Sequence, residues 1–128
     1  HRKYYKKSGI MMLMNAGTKY KQNDIVLLPF PYTNLEGIKL RPALIISNKK
    51  LNSSQDRICC LITSNTPQDG IEIQKRFLVS GSLPFQSWVK PHRLFTIHEG
   101  IIKKKLCMVN SDFHDVIIKS IIENLKKD

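Results

Sequence analysis

The sequence predicts a mainly β fold: a compact β-barrel or strongly curved sheet with one C-terminal amphipathic helix. Three observations carry this expectation. Short β-branched and aliphatic runs bounded by turn formers recur over residues 24–109. Two of them, 42–47 and 57–63, are apolar on both faces, as strands inside a sheet are. Strong helical periodicity then marks 111–127. Short strands followed by a single helix fit a small curled sheet with that helix packed on it. A length of 128 residues suits one domain.

The elements follow in order. Residues 1–18 hold Arg2, Lys3, Lys6 and Lys7 with no acid, then an apolar patch of five residues at 10–14. A secretory h-region needs about 7–15 residues. We therefore read 1–18 as a basic leader outside the fold and 19–128 as a single domain. The first strand is expected at 24–28, ended by Pro29-Phe30-Pro31, because proline cannot donate to a ladder. Residues 32–37 have loop chemistry, with Asn34 and Gly37 as turn formers. Strands at 42–47 and 57–63 flank a polar loop, 48–55. Residues 66–70 turn the chain, and Ile71-Glu72-Ile73 alternates like a short strand. Strand pieces at 87–90 and 93–97 are separated by Pro91, and a helical turn at 99–104 precedes a strand at 106–109. Finally, Phe113, Ile117, Ile121 and Leu125 recur every four residues beside Val116, Ile118 and Ile122. That is one apolar stripe of a helix over 111–127. Ser111 is the expected N-cap; Asp112 and Asp115 near the start and Lys126 and Lys127 at the end complement the helix dipole.

Composition bounds the function. The chain carries 21 Lys+Arg against 10 Asp+Glu, a net charge of +11. A polyanionic partner follows: nucleic acid first, then an acidic protein or membrane surface. Four of those charges belong to the leader. The 41% of hydrophobic residues supports a core and argues against wholesale disorder. No apolar run reaches the ~18–20 residues of a membrane span. Cys59, Cys60 and Cys107 are odd in number and two are neighbours, which suits neither a disulfide framework nor spaced metal ligands. A reducing cytoplasm is the expected location, with Cys59 and Cys60 as small core residues on opposite faces of a strand. The common nucleotide-loop and zinc-helix motifs are absent, and His1, His92, His98 and His114 have no metal-ligand spacing with the cysteines. No cofactor or metal is expected.

Three segments hold residues able to do chemistry. Lys39 and Arg41 precede Pro42 at the exit of a Gly-containing loop. A guanidinium there suits a phosphate, and equally an acid that closes the loop. Thr63, Ser64 and Asn65 end a buried strand, where hydroxyls donate to a phosphate or cap a turn. The densest segment is 87–93, with Ser87, Trp88, Lys90, His92 and Arg93. In an extended chain Lys90 and His92 share a face, and a cation with an imidazole makes an acid/base pair. Trp88 is suited to stack on an unpaired base, although its place among strand residues favours a core role.

Residues 24–33 (DIVLLPFPYT), 37–47 (GIKLRPALIIS), 61–65 (LITSN) and 87–90 (SWVK) leading to 94–97 (LFTI), in that order, resemble the PemK/MazF toxin family of toxin–antitoxin systems. The likeness spans roughly residues 20–125. It implies an SH3-like curved β-barrel with a C-terminal helix, a homodimer, and a metal-independent endoribonuclease acting on single-stranded RNA. It also implies an antitoxin whose acidic or disordered tail fills the RNA groove. Arg41 matches the arginine of the family's Arg-Pro motif and Thr63 the threonine ending the next long strand, both catalytic in the best understood members. In another branch a basic residue and an aspartate two positions on serve as acid and base; here those positions hold Lys90 and His92. The loop from Phe30 to Lys39 would gate the site. Tyr32, Thr33, Lys39, Ser64, Asn65 and Arg93 are the implied RNA contacts.

The chemistry explains the demand for such groups. A 2′-hydroxyl can attack its own phosphorus and leave a 2′,3′-cyclic phosphate. That needs a base at the hydroxyl, an acid at the departing 5′-oxygen, and donors for the charged phosphorane. Arg41 and Thr63 suit the phosphorane. An arginine seldom gives up its proton, so His92 is the candidate base. Two alternatives stay open: a toxin on the same barrel that poisons DNA gyrase, and a non-catalytic nucleic-acid-binding domain.

Overall fold

A computed structural model describes residues 19–31 and 37–128. The basic leader and the expected RNA contacts Tyr32 and Thr33 lie outside these residues. The described residues form strands β1 (Asp24–Pro31), β2 (Ile38–Ile45), β3 (Asp56–Thr63), β4 (Ile71–Glu72), β5 (Leu78–Gly81), β6 (Trp88–His98) and β7 (Lys104–Val109). A one-turn helix, α1 (Lys49–Asn52), precedes β3, and the long helix α2 (Ser111–Leu125) ends the fold. Short 3-10 turns lie at Lys75–Phe77 and Glu99–Ile101. All strand pairs are antiparallel, in the order β4-β6-β3-β2-β1-β7-β5.

That order forces curvature. β4 and β5 lie at opposite edges, yet only residues 73–77 join them. Across a flat sheet the six strand spacings of ~4.8 Å would separate them by roughly 29 Å. The link reaches at most about 20–22 Å fully extended, and part of it is coiled into the 3-10 turn. The sheet therefore curls, as the sequence predicts.

The curl encloses the main core. Ile25, Leu44, Cys60, Ile62 and Val89 from the sheet meet Phe77 and Val109, with Phe113, Ile117 and Ile121 of α2. The opposite face carries a second cluster: Tyr20, Val26, Leu28, Ala43, Ile45 and Cys59, with Phe30 and Phe95 against it. Neighbours in sequence (Ile25 and Val26, Ala43 and Leu44, Cys59 and Cys60) fall in different clusters, the two-residue alternation of a strand. The three thiols are free and buried. Burial pushes Cys59 and Cys60 up to about 12 and Cys107 to about 11, so each packs as a neutral, unreactive core group.

Helix α2 is as expected in position and buries Phe113, Ile117 and Ile121, but Val116, Ile122 and Leu125 of the expected stripe are exposed, and its ends differ. Asn110, not Ser111, is the N-cap: its backbone is extended (φ −86°, ψ 174°), and its Oδ1 accepts from the Phe113 amide at 2.9 Å. Ser111 already lies in the helix. Lys126 is extended, so the helix stops at Leu125 rather than 127.

The prolines also behave differently from expectation. β1 continues through Pro29 and Pro31, and β2 starts at Ile38 and contains Pro42. The reason is which edge each proline faces. The Leu27 carbonyl accepts from Lys103 N on the β7 side, so Pro29 and Pro31, at the same parity, face that side too. β7 pairs with β1 only as far as Leu27, so no ladder there needs their amides. Likewise the last β2–β3 pair is Ala43 with Leu61, and Pro42 sits where that ladder stops. The first connection is thus narrower than the expected loop of Phe30 to Lys39, whose ends are strand. Pro91 does not split β6 either, because it begins a bulge. Strand β5 and helix α1 had no strong sequence signal. β5 ends on Gly81 at φ +73°, where a Cβ would run into the Leu106 carbonyl and the Cys107 backbone.

Two buried charges fix the start of the fold. Asp24 pairs with Lys105 at 3.1 Å and accepts from the Lys21 amide at 3.0 Å. Arg57 is fully buried and holds the incoming chain: its Nε donates to the Tyr20 carbonyl at 2.9 Å and its Nη1 to the Ser54 and Asp56 carbonyls. Burial lowers its pKa from the ordinary arginine value, against the opposing pull of Glu99.

Candidate functional site

The face turned away from α2 carries most of the candidate residues. On β3, Cys59 belongs to that face and Ile62 to the helix side. Alternation therefore puts Leu61 and Thr63 on the face away from the helix. Across to β6, Thr63 pairs with Trp88 and Leu61 with Lys90, so both β6 residues join them. Across to β2, Ala43 pairs with Leu61. Continuing that register two residues sets Arg41 opposite Thr63, past the end of the ladder. Lys39 is next along β2 on the same face, opposite Phe30 of β1. Thr63 thus has Arg41 on one flank and Trp88 on the other. Lys90 is its diagonal neighbour, a relation that puts Cβ atoms somewhat less than about 7–8 Å apart.

The floor beneath is apolar. Leu28 and Ala43 are buried, and Phe30 meets Phe95 edge-on with ring centroids 5.6 Å apart. Arg41, Thr63, Trp88 and Lys90 are half-buried, while Lys39 is exposed. Among the described residues Lys105–Asp24 and Lys126–Glu123 form ion pairs and His92 faces Asp69, and Arg41 is in none of these contacts. The guanidinium is thus available to an anion rather than spent on one of the described acids. Thr63 Oγ1 accepts from the Asn65 amide at 3.1 Å, so it does cap the turn. That contact uses a lone pair and leaves the hydroxyl proton free to be donated. Ser64 and Asn65 follow in the exposed bend.

His92 departs from the simple alternation. The β3–β6 register jumps from Leu61↔Lys90 to Cys60↔Leu94, so Pro91, His92 and Arg93 form a bulge opposite no residue of β3. The shared face argued for Lys90 and His92 from an unbroken strand does not carry across it. His92 and Arg93 are exposed, and His92 Nδ1 lies 3.6 Å from Asp69 Oδ2 on the β3–β4 connection. Sequence reasoning missed Asp69 altogether, since residue order gives no sign that this loop meets the bulge. It also favoured Trp88 for the core, whereas the residue is half-buried, belongs to neither buried cluster and pairs with Thr63 in the strand register. Among the described residues no three His, Cys, Asp or Glu side chains gather as a metal site.

The geometry is a partly buried face with three strand-borne cations, Lys39, Arg41 and Lys90, a hydroxyl and an aromatic residue. Such a group can grip a phosphate and stack a base. The family model for PemK-like, MazF-like toxins of type II toxin–antitoxin systems matches residues 21–125. The chain belongs to this family. Solved structures of PemK/MazF toxins share the fold of this PemK/MazF chain. An endoribonuclease in complex with its cognate antitoxin, from a mycobacterial species, is 16% identical over 83% of this chain and 94% of its own, with a TM-score of 0.65. A MazE–MazF complex from Deinococcus radiodurans is 19% identical over 83% of this chain and 95% of its own, with a TM-score of 0.66. The Mycobacterium tuberculosis toxin MazF-mt6 is 13% identical over 80% of this chain and 98% of its own, with a TM-score of 0.60. No curated protein matches. Among the described residues no helix is long and apolar enough to cross a membrane.

Proposed function

We propose that this toxin is a sequence-selective, metal-independent endoribonuclease that cuts single-stranded RNA, mRNA above all, and that residues 19–128 are its single toxin domain. One observation supports the reading most: Arg41, Thr63, Trp88 and Lys90 come onto one face in a chain of this family. The 2′-oxygen attacks the adjacent phosphorus and the bond from phosphorus to the 5′-oxygen breaks. His92 takes the 2′-hydroxyl proton, and Lys90 supplies one to the departing 5′-oxygen. Arg41 and the Thr63 hydroxyl stabilise the phosphorane. The products are a 2′,3′-cyclic phosphate and a 5′-hydroxyl. Lys39, Ser64, Asn65 and Arg93, together with Tyr32 and Thr33, hold the flanking nucleotides.

The partners follow from the same reading. An antitoxin with an acidic or disordered tail covers the basic face, in keeping with the antitoxin complexes of the mycobacterial and Deinococcus structures. The working unit is a homodimer in the cytoplasm. The test is a defined single-stranded RNA incubated with purified protein in chelator, with the ends read out. Cyclic phosphate ends support the proposal. Trapped gyrase–DNA complexes with intact RNA would mean a gyrase poison. Salt-sensitive binding with no new ends would mean a non-catalytic RNA-binding domain.

A further inference from the structure

Asp69 has no part in the chemistry above, yet it is held against the site. Strand β4 pairs Ile71 with Val89 and Glu72 with Trp88. The same register continued backwards brings Asp69 beside Pro91, where the bulge carrying His92 begins. The connection is seated firmly there. Gly70 leaves no room for a Cβ between the Pro67 ring and the Trp88 Cβ, so the loop is packed onto the tryptophan that flanks Thr63. The resulting approach of Asp69 Oδ2 to His92 Nδ1 is 3.6 Å.

A neutral imidazole carries one ring proton: the nitrogen that holds it donates, and the other accepts. A carboxylate at Nδ1 favours the proton on that nitrogen and leaves the lone pair on Nε2. We propose that Asp69 is a positioning residue for His92, holding the ring in the Nδ1–H tautomer so that Nε2 receives the 2′-hydroxyl proton. This rests on the reading of His92 as the base. A separation of 3.6 Å is longer than a formed hydrogen bond, and such contacts tighten when substrate fills a site. Asp69 and His92 are both exposed, so their pairing adds little to stability and Asp69 can be replaced without cost to the fold.

The test uses the full chain. Ring-nitrogen NMR with a non-cleavable 2′-deoxy analogue of the RNA bound, with the His92 signals assigned through His92→Gln, should show the Nδ1–H form in the wild type and a shift toward Nε2–H in Asp69→Ala. Asp69→Ala should lower kcat at least ~10-fold, a part of the ~10²–10⁴ that a positioned base contributes as a whole, with KM unchanged and partial rescue in Asp69→Glu. An unchanged tautomer, or an unchanged kcat in Asp69→Ala while His92→Gln is impaired, overturns the role of Asp69 and leaves the proposed endoribonuclease standing. Wild-type cleavage by His92→Gln overturns the base itself, and the role of Asp69 with it.

Discussion

Replacing Arg41 with alanine separates catalysis from folding in this toxin. The residue lies on β2 opposite Leu28, past the last pair with β3, and makes no ion pair among the described residues. Its removal strands no described acid and breaks no backbone ladder. A half-buried side chain without such ties costs within about ±0.5 kcal/mol of stability. For a domain of this size that is a Tm shift of at most ~2–4 °C. The loss in catalysis is much larger. Taking away one donor aimed at a developing oxyanion costs about 2.7–4 kcal/mol, or ~10²–10³ in kcat. The assay is cleavage of a fluorescently labelled single-stranded RNA under single-turnover conditions in chelator, alongside a melting curve. If Arg41→Ala cuts within about threefold of wild type at an unchanged Tm, then Arg41 does not stabilise the transition state. If the loss comes with a fall of ten degrees or more, on the order of 1–2 kcal/mol or above, the claim of structural independence is wrong.

Three further outcomes test the fold. Phe113→Ala empties a fully buried ring site packed 4.8 Å from the Phe77 ring and should cost about 3–5 kcal/mol in urea melts. Asn110→Ala removes the N-cap of α2 and should cost about 1 kcal/mol by the same measurement, while Ser111→Ala should cost far less. The buried thiols predict a pH dependence. Unfolded cysteine ionises near ~8.5, whereas Cys59 and Cys60 are pushed up to about 12 and Cys107 to about 11. Below pH 8.5 both states are protonated and nothing changes. Above it the unfolded chain holds fewer protons, so stability falls by up to ~1.4 kcal/mol per pH unit for each thiol. That slope should flatten in Cys60→Ala, measured by urea melts between pH 8 and 10.

Helix α2 was legible because its stripe is a local property: Phe113, Ile117 and Ile121 repeat at the helical period whatever surrounds them, and all three are buried. Its cap was misplaced by one residue because Asn110 and Ser111 are both good caps and only backbone geometry chooses between them. The central strands were legible for the same local reason. Their ends were not, because the effect of a proline depends on which neighbour its missing amide would have faced. Strand β5 was invisible: Leu78–Gly81 is short, and its pairing with β7 exists only once the sheet has curled. Arg41, Thr63 and Lys90 drew notice from local chemistry before the family resemblance singled them out, and strand register brings the three to one face. The meeting of Asp69 with His92 and the half-buried place of Trp88 outside both clusters lay beyond reach, because a bulge and a loop crossing are facts of register rather than of composition.

The prolines of β1 have one more consequence. Strand-to-strand docking, in which an incoming peptide is clamped by backbone amides, needs a free edge that offers donors. Beyond Leu27 the outward positions of β1 are Pro29 and Pro31, and neither has an amide hydrogen. This rim beside Lys39 and Arg41 is therefore closed to β-augmentation and to edge-to-edge self-association. Whatever is held there, nucleic acid or peptide, finds carbonyl acceptors but no backbone donors, so any donors that grip it come from side chains, which substitution can change without touching the backbone.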